Sequence, residues 1–87
     1  MTVQGAIINK QGVTFGVLVV GRHELDDRNR RDQCRRSGQQ VWGPVPIVLM
    51  AQDARGAPTY EGPEDLSRFL AALPVSQLPI RRWSTAA

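Results

Sequence analysis

The chain has 87 residues, 41% of them hydrophobic and 22% charged, which suits one folded domain and excludes wholesale disorder. Cys34 is the only cysteine, so an internal disulfide and a thiolate cluster for zinc are both excluded. The net charge is +3, but ten of the eleven basic residues are arginine, with Lys10 the only lysine. A coding bias towards arginine accounts for such a balance as well as a nucleic-acid ligand does.

Residues 1–5 show no basic stretch leading into an apolar core, so no secretory leader is expected. The longest apolar runs, at 17–20 and 45–51, are far shorter than the about 20 residues a membrane helix needs. A soluble, cytoplasmic protein without membrane partners follows as the expectation. No cofactor is expected either.

Residues 2–9 and 13–20 are rich in β-branched and aromatic side chains and short, which predicts two strands. The Lys10-Gln11-Gly12 link, ending in glycine, predicts a hairpin between them. The second strand is apolar on both faces towards its end, so it belongs inside a sheet and not at its edge. Gly16 within that strand marks close packing or a bulge.

Residues 22–40 form a charged insertion whose only clearly apolar members are Leu25 and Cys34. The acids stand four residues before arginines at Glu24–Arg28, Asp26–Arg30, Asp27–Arg31 and Asp32–Arg36. That spacing fits a solvated helix laced by ion pairs, with a mobile loop as the alternative. The four pairs would supply only about 1–2 kcal/mol in total. Ordering fifteen residues costs about 1 kcal/mol or more for each. An ordered segment therefore needs another anchor.

Val45 to Ala51 predicts a buried strand, with Pro46 tolerated near its start. Asp53-Ala54-Arg55-Gly56 matches a type I turn, and Pro58-Thr59-Tyr60 a short returning strand. Pro63 at a first helical position and Glu64 and Asp65 in the first turn open a helix. Leu66, Phe69, Leu70 and Leu73 give that helix one apolar face, and Pro74 ends it. Residues 75–87 read as a C-terminal extension carrying Ile80-Arg81-Arg82-Trp83. The expected fold is α+β: a single small two-layer domain over 1–87, mainly antiparallel in its sheet. Its order is β-β-(α or loop)-β-β-α, with one amphipathic helix packed on the sheet. One sheet face has no evident cover, which points to burial by a second copy.

No residue pattern completes a catalytic or ligand-binding set. Cys34 lies among Arg30, Arg31, Arg35 and Arg36, charges that would lower its pKa, but no base is fixed beside it. Its plainer role is that of an apolar anchor. The second half has a thioredoxin-like outline, yet it lacks Cys-x-x-Cys, and an outline carries no function. Among the carboxylates, Asp53 has a turn to form and Glu64 and Asp65 a helix to start; only Glu61 has no assigned task. The glycines lack the spacing of a phosphate loop. Arg28, Arg31 and Arg35 share one side of the predicted helix, and Arg81-Arg82-Trp83 sets charge beside a stacking ring. Residues 22–36 nevertheless balance six arginines against four acids.

The expectation is a non-catalytic interaction or accessory module, a homodimer or the partner of another protein. Its contacts would be Arg28, Arg31, Arg35, Trp42, Arg81, Arg82 and Trp83. Weak nucleic-acid binding through the same arginines is the alternative, and a thiol enzyme using Cys34 the third.

Overall fold

The computed structural model describes residues 2–84. Five strands form one sheet: β1 (Thr2–Lys10), β2 (Val13–Val19), β3 (Ile47–Gln52), β4 (Pro58–Glu61) and β5 (Arg81–Ser84). Their order across the sheet is β4-β3-β2-β1-β5. The β2–β3 pairing is parallel and the other three are antiparallel. Three helices, α1 (Arg22–Leu25), α2 (Arg28–Trp42) and α3 (Glu64–Ala71), complete an α+β fold with a mainly antiparallel sheet, as expected.

The first hairpin closes more tightly than its sequence suggests. Lys10 pairs directly with Val13, so the connection is two residues and not three. Both have positive φ, 51° at Gln11 and 85° at Gly12, the conformation of a type I′ turn whose twist matches the strands. The Asn9 carboxamide oxygen accepts the Gly12 N–H at 3.2 Å and steadies the bend. β2 lies inside the sheet, between β1 and β3, and Phe15 to Leu18 are buried without interruption.

The 53–56 turn forms as predicted. The Gly56 N–H donates to the Asp53 carbonyl at 2.9 Å, and the Asp53 side chain accepts from Arg55 and Ala57 N–H groups. In α3, Pro63 is the capping residue, one position before the helix proper. Leu66 and Leu70 are buried against Phe15, Val17, Val48 and Met50, with Phe69 and Leu73 flanking them. This is the larger core, on one face of the sheet.

Alternate residues of the same strands point the other way. Leu18, Ile47 and Leu49 form a second core with Leu25, Cys34, Trp42 and Val45. The charged segment therefore lies over the face that its sequence leaves without cover. Leu25 and Cys34, its two apolar members, are among the residues that hold it there.

The predicted i,i+4 ion-pair ladder does not form. The helix breaks at Asp26 and Asp27, and Asp27 caps α2 by accepting the N–H groups of Asn29 and Arg30. The first three predicted pairs straddle that break. The pairs that do form are Asp27–Arg30 at 3.9 Å, Asp32–Arg35 at 3.7 Å and Arg35–Glu61. Within residues 75–87, read from sequence as an extension, residues 81–84 form β5 and pair with β1. The partner strand lies almost the whole chain away, so nothing local announces it.

α2 comes close to the sheet because glycines make room. A Cβ on Gly16 would lie 2.5 Å from the Trp42 ring, and one on Gly5 would lie 2.6 Å from it and 2.2 Å from the Val17 carbonyl oxygen. A Cβ on Gly38 of α2 would meet Ile47 at 3.1 Å. The indole thus rests on two glycines of adjacent strands, and Gly16 marks close packing. Overpacking such a contact costs about 1–3 kcal/mol. Gly16→Ala is expected to lower the unfolding free energy by that amount. Gly5→Ala should cost more, because its new methyl meets backbone. Urea unfolding followed by circular dichroism reads both, and unchanged midpoints would mean that the indole does not sit there.

Candidate functional site

Of the seven residues selected from sequence, three converge. Trp83 on β5 and Trp42 at the end of α2 meet edge to face, with centroids 5.7 Å apart and planes at 83°. The Trp83 indole N–H donates to the Gly5 carbonyl at 3.0 Å. The Arg81 guanidinium lies 4.0 Å from the Trp83 ring centroid, a cation–π contact. These residues make one corner of the molecule, on the α2 face of β1 and β5.

The other four stand apart from it. Arg82 pairs across from Gln4, on the opposite face of the sheet from Trp83. Arg31 donates to the Leu25 carbonyl at 2.6 Å and ties α2 to the end of α1. Arg35 pairs with Glu61 of β4 and so ties α2 to the far side of the sheet. Arg28 is exposed at the start of α2. The arginine side predicted for this helix is therefore partly committed to its own fold. Glu61, without a task in the sequence, has one here. Tyr60 next to it points into the opposite core, its hydroxyl buried without a hydrogen-bond partner among the described residues.

A second feature is a shallow cleft of about 300 Å³ between the start of β1, the end of β2 and the two charged helices. Val3, Leu18 and Val20 contribute its apolar lining, and Glu24, Cys34 and Ser37 its polar side. The Cys34 thiol donates to Glu24 Oε2 at 2.8 Å, while Oε1 of the same carboxylate accepts the Gly21 N–H at 3.2 Å. Burial, and then the Glu24 carboxylate, push the Cys34 thiol up to about 12. This reverses the expectation from its arginine neighbours, of which only Arg35 acts to lower the value. In the helix, Arg30 and Arg36 are turned outward and Arg31 towards α1, whereas the carboxylate that governs the thiol stands ten residues back. The thiol's hydrogen bond, chiefly, holds Glu24 below the usual carboxylate range. A protonated thiol of this kind is a poor nucleophile.

No group of three His, Cys, Asp or Glu side chains among the described residues is arranged to hold a metal ion. No described helix is long and apolar enough to cross a membrane. No family model, curated protein or solved structure matches the chain.

Sequence reasoning missed Glu24 as the partner of Cys34 and β5 as an edge strand. The first depends on the angle between α1 and α2, and the second on a pairing between chain ends. Neither leaves a periodic trace.

Cys34 is expected to alkylate slowly between pH 7 and 9, and Glu24→Gln to quicken it by lowering the thiol's pKa. Iodoacetamide rates followed by mass spectrometry decide this, and a fast native rate below pH 8 would contradict the geometry. The same pair shapes stability. Above pH 9 the unfolded thiol loses its proton first, so the stabilisation present below that pH declines as pH rises towards 12. The contribution of Glu24, whose folded pKa is depressed, is present above its unfolded value and is lost as pH falls through the folded one.

Proposed function

We propose that this chain is a non-catalytic interaction module that binds another protein chain at the β5 edge. The observation that carries this reading is the corner formed by Trp42, Trp83 and Arg81, which includes a strand that pairs on one side only among the described residues. An edge strand presents a row of unpaired backbone N–H and C=O groups, a template for a further strand. Charged residues elsewhere, by contrast, are engaged within the fold: Arg35 with Glu61, Glu24 with Cys34 and Gly21, Asp27 with its helix. The thiol-enzyme reading loses support from the raised pKa of Cys34.

Self-association is one form of this proposal. The bare sheet face that first suggested it lies under α2, and Val13, at 48% exposure, is the only large apolar residue left exposed among those described. A homodimer would therefore use the strand edge and not an apolar face. A photo-crosslinking amino acid in place of Ser84, at the β5 edge, is expected to trap a discrete adduct in cells. The same probe in place of Arg55, on the far turn, should trap none. The adduct's mass tells a second copy from a different protein. Equal capture at both positions, or none at either, would count against the module.

Weak nucleic-acid binding through Arg28, Arg31, Arg35, Arg81 and Arg82 is the second reading, favoured by the stacking of Arg81 on an aromatic ring. Against it, Trp42 contacts the Trp83 ring edge to face, and Arg31 and Arg35 have partners within the fold. We expect flat anisotropy titrations with single- and double-stranded probes at about 50 mM salt, where phosphate contacts bind most strongly. Binding there that weakens steeply on raising the salt would reverse the ranking.

A further inference from the structure

The two edges of this sheet are not alike, and the difference identifies a partner chemistry. β4 begins with Pro58, which has no N–H to donate, and its Glu61 is held by Arg35. α3 follows β4 after two residues and packs its apolar side on the adjacent sheet face. β5 contains no proline. It carries two neighbouring exposed arginines, one on each face of the sheet, and no acid is paired with either among the described residues. Arg81 stands on the α2 face with Trp83, and Arg82 on the α3 face.

Resting on the module reading above, we propose that β5 receives an extended acidic segment of a partner protein. A strand added there places one side chain opposite each residue of β5, on the same face. The position opposite Arg81 then favours an acid on the α2 face, and the position opposite Arg82 an acid on the other. The position opposite Trp83 favours an apolar side chain beside the indole. For an antiparallel addition the preferred order is apolar, acid, acid; for a parallel one it is reversed.

A second copy fits this edge less well. Pairing β5 with itself about a two-fold axis normal to the sheet keeps equivalent faces together. Arg82 then meets its own counterpart, which repels, or Trp83 meets its own counterpart and the arginines gain no acid. Charge complementarity selects a foreign acidic strand over both.

The test uses the whole protein and two synthetic probes, an eight-residue Thr/Val peptide with Val-Glu-Glu at its centre and the same peptide with Val-Lys-Lys. In amide NMR titrations at low salt, the acidic peptide is expected to shift residues 81–84 and the facing part of β1, and to slow hydrogen exchange in β5. The lysine peptide should bind about tenfold more weakly, as two cross-strand charge pairs change sign. The double variant Arg81→Glu, Arg82→Glu should exchange these preferences, and its unchanged amide spectrum elsewhere would show that it folds. Equal affinity for both peptides, a preference that survives the double reversal, or shifts centred on β4 would overturn the acidic partner. Because the probe at Ser84 reports any partner whatever its charge, an adduct there beside a failed peptide preference would refute this inference alone. Loss of both would remove the module reading as well.

Discussion

The indole of Trp42 lying across Gly5 and Gly16 is the contact on which the rest of this structure depends. It needs a glycine on each of two adjacent strands, set diagonally because Gly5 pairs with Leu18 and Gly16 with Ile7, and it lets a polar helix approach a sheet closely. Gly38, facing Ile47, permits the same approach further along α2. Burial of an aromatic side chain and its neighbours then supplies what four surface ion pairs could not. A single buried large apolar side chain is worth about 1.5–3 kcal/mol, against a few tenths for each exposed pair. This explains how residues 22–40, with only Leu25 and Cys34 clearly apolar, can form an ordered layer. The same indole touches Trp83, whose N–H is bonded to the Gly5 carbonyl. One contact thus joins α2, β1, β2 and β5.

Once α2 is held in this way, its polar residues are distributed by direction and not by spacing along the chain. Those turned towards the sheet or α1 find partners: Cys34 with Glu24, Arg35 with Glu61, Arg31 with the Leu25 carbonyl. Those turned outward remain in solvent, where charge is weakly coupled and screened. The sequence spacing suggested a self-sufficient helix decorated by salt bridges. The structure instead has a short helix and a longer one, with an acid at their junction used as a cap. The chemistry of the cysteine follows from the same arrangement, because the break brings a carboxylate to the thiol while the helix turns most arginines away.

The parts of the fold that were legible in sequence are those whose causes are local. The β1–β2 hairpin, the Asp53–Gly56 turn and the apolar face of α3 each depend on residues within a few positions of one another. The break at Asp26–Asp27 was not legible, since those acids fit an uninterrupted ladder equally well. β5 was not legible either, because a four-residue strand containing two arginines acquires meaning only beside β1. Gly5 and Trp83 are joined by a hydrogen bond across 78 positions. The candidate surface divides in the same manner. Trp42, Trp83 and Arg81 were recognisable as residue types suited to contacts, but only the tertiary fold brings them together. Arg31 and Arg35 looked equally available and are engaged internally.

This arrangement also bears on how a surface strand can be both exposed and ready. An isolated edge of four residues would fray, since a few cross-strand pairs barely offset the entropy of ordering it. Here the strand is fixed from beneath: Trp83 reaches inward to Gly5 and Trp42, and Arg81 lies over the ring. The residues that anchor β5 to the core are therefore the ones that shape its outer surface. On the proposal that β5 receives a partner strand, that strand would meet a backbone already extended and would not have to order it, which lowers the entropic cost of association. The glycine-floored contact beneath α2 thereby reaches the edge. If the indole moves, the support of β5 moves with it, so core packing and the presentation of this edge are one mechanical unit.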